Sequence, residues 1–254
     1  MLQAQLQQVR ERISHACQRC GRDPSSVTLI GVTKTVSADV VGEAIQLGLT
    51  DLGENRVQEA QAKRQALGFK LQASDSSVQP VACSLQPVRW HLIGHLQRNK
   101  VKLAIELFDV IHSVDSLELV NELDRQAAQR GTRVDILVQV NVSGEATKFG
   151  CAPQEVAPLA HAINRMAHLR FIGLMTMAPF SDHAEAARPY FRRLRTLRDD
   201  VVSSFQLPAS SLCLSMGMSG DFEVAIEEGA DFVRIGTAIF GGRGQGARDA
   251  GQET

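Results

Sequence analysis

Lys34 closes an apolar run, LIGV (29–32), and is the side chain best suited to covalent chemistry. An apolar setting disfavours the ammonium form and lowers a lysine pKa. The neutral amine can then add to an aldehyde and form a Schiff base. Position alone favours a plainer reading, in which Lys34 marks the exit of a strand into solvent. Two later junctions shift that balance. SMGMSGD (215–221) follows one apolar run and opens a helical pattern, and RIGTAIFGG (234–242) closes another. Glycines at such junctions let backbone N–H groups approach a phosphate, and a helix N-terminus stabilises its charge. Ser215, Ser219 and Thr237 can add hydroxyl donors. The alternative is that Gly217 and Gly220 only make a tight turn. Arg234 lies inside an apolar run, where a guanidinium needs a partner. That partner is a carboxylate of the interior or the pyridine nitrogen of a bound cofactor.

Other polar residues leave alternatives open. Asn55, in GENR (53–56), can contact a ring hydroxyl or cap the next helix. His91 and His95 are spaced i, i+4, but a glycine and a strand end lie between them, which weakens a metal-pair reading. Lys148 is a second amine near the same region or an ordinary exposed lysine. Cys17 and Cys20 form a CxxC on a predicted helix without the four ligands a structural metal normally takes.

The elements that must position these groups alternate along the chain. Leu6, Val9, Ile13 and Cys17 give residues 1–20 the spacing of an amphipathic helix. Strands are predicted at 27–34, 51–55, 90–94, 109–114, 135–141, 169–177, 211–217 and 231–241. Helices are predicted between them at 40–48, 56–67, 95–108, 116–131, 152–165, 184–205 and 221–229. Helical crossovers imply parallel pairing. Eight such units in 254 residues favour one closed (β/α)8 barrel of the TIM type over an open doubly wound sheet. The predicted domain spans 1–241, with a Gly-rich flexible tail at 242–254 and a long polar loop at 69–89. In such a barrel chemistry sits at the C-terminal strand ends, with phosphate held after strands seven and eight.

Composition narrows the partners. A hydrophobic fraction of 44% supplies a sizeable core, and a formal net charge of -1 gives no basic field for nucleic acid or anionic membranes. The first residues lack the apolar core of a signal peptide, and no run is long enough to span a bilayer. The five cysteines are scattered and read as reduced thiols. These features predict a cytoplasmic protein.

Several segments together resemble one family. They are VTKTVSADVV (32–41), GENRVQEA (53–60), WHLIGHLQRNKVK (90–102), HSVDS (112–116), QVNVSGEATKFG (139–150), GLMTMAP (173–179) and LSMGMSGDFEVAIEEGADFVRIGTAIFG (214–241). They cover nearly the whole chain and resemble the pyridoxal 5′-phosphate (PLP) homeostasis proteins of the YggS/PROSC type. The resemblance implies PLP fold type III, a barrel like the N-terminal domain of alanine racemase, with PLP as a Schiff base on Lys34. It further implies that Ser215, Ser219, Gly236 and Thr237 hold the phosphate, that Arg234 faces the pyridine nitrogen and that Asn55 lines the ring. It links Lys148 weakly to a second PLP contact. The implied role is buffering PLP and delivering it to PLP-dependent apoenzymes, without robust catalysis. A monomer is the expected state. The loop before Trp90 is longer than usual in this family, and the tail is peculiar to this chain.

Three rivals differ in what they require. A racemase needs a second proton-transfer group opposite the lysine, and the only tyrosine, Tyr190, falls on a predicted outer helix. A phosphosugar aldolase needs a proton relay beside Lys34, for which Glu54 and Asp115 are weak candidates. A pure interaction module leaves Arg234 and the paired phosphate junctions unexplained.

Overall fold

In the computed structural model, which describes residues 1–68, 87–145, 147–208 and 211–241, eight parallel strands close into a barrel in sequence order. The strands are β1 Thr28–Val32, β2 Asp51–Glu54, β3 Arg89–Leu92, β4 Val110–Val114, β5 Val134–Gln139, β6 Leu169–Met175, β7 Cys213–Ser215 and β8 Phe232–Ile235. Closure is made by β1 and β8, with Thr28 opposite Phe232 and Gly31 opposite Ile235.

Helices α1 Leu2–Arg19, α2 Ala38–Gln46, α3 Val57–Ala66, α4 Val101–Leu107, α5 Leu117–Arg130, α6 Val156–Asn164, α7 Arg188–Ser204, α8 Phe222–Glu227 and α9 Thr237–Phe240 accompany them. The apolar stripe of α1 is buried at Leu6, Val9, Ile13 and Cys17. Local chemistry sets the ends. Ser37 caps α2 through the Val40 N–H, Gly131 ends α5 in the left-handed region, and Pro189 sits in the first turn of α7. The thiol of Cys20 lies against the Ala16 carbonyl, so the CxxC packs within α1 and onto α8.

Strand alternation sorts side chains into two layers. Trp90, Leu92, Ile111, Leu214 and Val233 face the helices in the main core. Ile30, Val110, Leu137, Met175 and Phe232 form a smaller cluster. With them inside the barrel lie Asp51, His91, His112, Ser215 and Arg234, all buried.

The structure corrects three predicted elements. Residues 231–241 are not one strand: β8 stops at Ile235, and Thr237–Phe240 turns into α9. The pairing of β8 with β1 ends at Gly31–Ile235, so the backbone beyond satisfies itself locally, with Phe240 N–H donating to the Gly236 carbonyl. The helix read from residue 95 begins as a 3-10 turn at Arg98–Lys100 and becomes α-helical only from Val101. The helix read from residue 152 likewise opens with a 3-10 turn at Pro153–Glu155. Most of the predicted 69–89 loop and all of the 242–254 tail lie outside the described residues.

Candidate functional site

A cavity of about 460 Å3 opens at the C-terminal ends of the strands. Lys34, Asn55, Ser219, Arg234, Gly236 and Thr237 all line it, although they come from four separate βα junctions. Parallel β1, β2, β7 and β8 end at the same face of the barrel, which is why residues 34 and 237 become neighbours of one space. Val32, Ile93 and Gln139 add to the wall, and Phe149, Met177 and Phe180 to its rim. Phe149 and Phe180 are exposed, and His95 stacks on the Phe149 ring at a centroid distance of 4.2 Å.

Lys34 follows β1 and is exposed to the cavity, at a strand exit as position alone suggests and not in an apolar setting. Its backbone is held from behind. Thr33 is buried and donates its hydroxyl to Glu54 Oε1 at 2.6 Å. Lys63, from α3, donates to both the Thr33 carbonyl and Glu54. Burial pushes the Glu54 carboxyl up, against the pull of Lys63 and Thr33. Thr35 adopts φ 63°, the left-handed region, which is costly for a β-branched residue. The chain therefore bends sharply just after the amine.

Arg234 is buried, and its neighbours are uncharged acceptors. Nη1 donates to Ser215 Oγ at 2.7 Å and Nη2 to the Thr176 carbonyl at 2.7 Å. Among the described residues no carboxylate forms an ion pair with it. Burial pulls its pKa down to about 10, partly opposed by Asp221. A guanidinium has five N–H donors, so donors remain for a ligand.

The two late junctions frame the opposite wall. Gly217 has φ 92°, and a Cβ there would lie 2.9 Å from the Phe222 Cα, so glycine permits the chain to enter α8. Ser219 accepts from the Ala238 N–H at 3.3 Å, which ties the two junctions together. Asn55 is held close to β3 because Gly94 has no side chain: a Cβ there would lie 2.3 Å from the Asn55 carbonyl.

Other expected residues fall elsewhere. Ser215 does not line the cavity. Its hydroxyl lies inside the barrel, between Arg234 and His112. Lys148 pairs with Glu145 at 2.8 Å and is not part of the cavity wall. His91 points into the barrel and His95 to the rim, so they do not converge. Tyr190 packs on the core from α7. Sequence reasoning missed His112, Asp51 and the Thr33–Glu54–Lys63 cluster. For Asp51 and His112 the signal was a polar residue at an inward position of an otherwise apolar strand, as in DVIHSV; the Thr33–Glu54–Lys63 cluster had no such signal, since Lys63 lies on α3.

Comparison with known proteins places the chain. The family described as "Alanine racemase, N-terminal domain" matches residues 4–244. The pyridoxal phosphate homeostasis protein of Aquifex aeolicus is 42% identical over 94% of this chain and 96% of its own length. The solved structure of PipY from Synechococcus elongatus, with PLP bound, superposes with a TM-score of 0.77 at 33% identity, covering 95% of this chain and 100% of that one. An alanine racemase from Clostridium difficile shares the fold at 15% identity and TM-score 0.67, over 94% of this chain and 56% of its own.

Proposed function

The chain belongs to the pyridoxal phosphate homeostasis proteins, and from that premise we propose that its C-terminal cavity holds PLP as an imine on Lys34. One observation carries the reading: the exposed Lys34 and the buried Arg234 guanidinium, which has no ion-paired carboxylate among the described residues, face one cavity flanked by both glycine junctions. The residues present fit the group. The volume is of the size that small cofactors occupy. Ser219, Gly236 and Thr237 supply the phosphate wall, Arg234 the donor for the ring nitrogen, and Asn55 a contact beside the ring. Ser215 acts only through Arg234.

When bound, PLP supplies a carbonyl carbon that amines can exchange upon. The protein's part is to bind and orient. Arg234 would donate to the ring nitrogen and leave it unprotonated, which would weaken the ring as an electron sink. The only tyrosine, Tyr190, stands on α7 away from the cavity, and no other side chain of the described wall matches the tyrosine proton donor of two-domain racemases. An exposed lysine nitrogen is open to an incoming amine, which suits release to another protein. These features support a carrier that buffers PLP and passes it to apoenzymes. No helix among the described residues is long and apolar enough to cross a membrane.

The test is the visible spectrum of the purified protein with added PLP, then borohydride reduction and peptide mapping. The expected result is a lysine-bound band fixed onto Lys34 and abolished in Lys34→Ala. Label spread over surface lysines sinks the reading. A proton-exchange assay on amino acids in heavy water separates carrier from racemase, with no exchange expected above that of free PLP.

A further inference from the structure

A chain of hydrogen bonds crosses the barrel interior beneath Arg234. Asp51 on β2, His91 on β3, His112 on β4 and Ser215 on β7 all occupy inward strand positions. Asp51 Oδ1 lies 2.9 Å from His91 Nε2, His91 Nδ1 lies 2.9 Å from His112 Nε2, and His112 Nδ1 lies 2.9 Å from Ser215 Oγ. Ser215 Oγ then meets Arg234 Nη1 at 2.7 Å. The Phe232 ring packs against both imidazoles, at 5.9 and 5.5 Å. At its far end Asp51 borders a second cavity, of about 390 Å3, lined by α1 and the starts of β1 and β2.

Donor and acceptor rules give this chain one direction. An ionised carboxylate only accepts, so His91 carries its proton on Nε2. A neutral His91 then accepts at Nδ1, so His112 also carries its proton on Nε2. His112 Nδ1 is left as an acceptor, and the Ser215 hydroxyl donates to it. The Ser215 lone pairs therefore face Arg234, which can only donate. We infer that Asp51, His91, His112 and Ser215 are positioning residues that hold Arg234 as a hydrogen-bond donor toward the cavity. This inference rests on the PLP reading for the nature of the acceptor.

The electrostatics agree with the geometry. Burial opposes the Asp51 charge, yet the His91 and Thr50 hydrogen bonds hold its carboxyl below the usual range. Burial lowers both imidazoles, His112 the further, and Arg234 and His91 add to that effect on His112. The other charges acting on the pair are Arg89, on both imidazoles, and Asp109, on His91. The arrangement does what a carboxylate beside Arg234 would not. The chain's own anion sits at its far end, and Asp221, whose charge also acts on Arg234, forms no hydrogen bond with it among the described residues; neutral acceptors therefore orient the guanidinium and leave donors for a neutral ring nitrogen. The arrangement also commits the one proton of Ser215 to His112, consistent with a hydroxyl that lies inside the barrel and does not line the cavity.

Histidine side-chain 15N–1H correlation spectra of the purified protein test the direction without any variant. His91 and His112 are expected as neutral Nε2–H tautomers, and an Nδ1–H form of either overturns the inference. PLP titrations followed by absorbance test the coupling. Asp51→Leu and His112→Phe are expected to weaken PLP binding about tenfold, the scale of one lost bond to a charged group. Asp51→Asn, whose amide oxygen still accepts, is expected to restore most of that loss. Affinities unchanged in the folded Asp51→Leu protein overturn the positioning role. Failure of the wild type to show a lysine-bound band sinks the PLP reading instead, so the two failures are distinguishable.

Discussion

Replacing Arg234 by methionine should move stability and ligand affinity in opposite directions. The buried guanidinium has a pKa of about 10, a charging cost on the order of 3 kcal/mol. No carboxylate among the described residues repays it through an ion pair. Arg234→Met removes that cost but leaves Ser215 Oγ and the Thr176 carbonyl each short of one donor, at about 1 kcal/mol apiece. The balance predicts a free protein more stable by about 1 kcal/mol, or a rise of about 2–4 °C in melting temperature. PLP affinity should fall about 10–100-fold, because a charged hydrogen bond to the ring is lost. Scanning calorimetry of the free protein and an absorbance titration with PLP make the two measurements. A variant destabilised by several kcal/mol that binds PLP as well as the wild type would refute the reasoning, for Arg234 would then be a structural residue.

Three further outcomes follow from the same geometry. Thr35→Gly should stabilise the chain by up to about 1 kcal/mol in urea unfolding, because relief of the left-handed strain exceeds the entropy glycine adds to the unfolded state. Glu54→Leu should cost about 3–5 kcal/mol by leaving Lys63 buried without its carboxylate, and Lys63→Met in the same chain should recover most of it, as a double-mutant cycle would show. Stability should fall as pH drops from 7 toward 5. His91 and His112 have lowered pKa values in the fold, so below about 6.5 the unfolded chain takes up protons that the native state refuses. The slope should approach about 1.4 kcal/mol per pH unit for each histidine, and His112→Gln should flatten it in urea titrations across that range.

Much of this protein was legible in one dimension. The β/α alternation announced a barrel because helices and strands bury their apolar faces at different periods, and eight repeats of that switch are hard to misread. Lys34, Ser219, Arg234, Gly236 and Thr237 were legible as a set because a barrel brings the ends of its strands to one face. Element ends were less so. Nothing local in RIGTAIFG separates a strand from a strand that becomes α9; the stop comes from β1, which offers no partner beyond Gly31.

The sequence by itself determined the kind of fold and the presence of a buried guanidinium, and offered Lys34 as a candidate amine. Only the tertiary structure decided what that guanidinium is attached to. Asp51, His91, His112 and Ser215 are separated along the chain by as many as 103 residues from one to the next. They meet because parallel strands in register turn them all into one interior. Hydrogen bonds depend on separations of a few tenths of an ångström and on direction. Periodicity can say which face a side chain takes, but not which partner waits there. For that reason Ser215 read as a phosphate ligand in the sequence and lies between His112 and Arg234 in the fold.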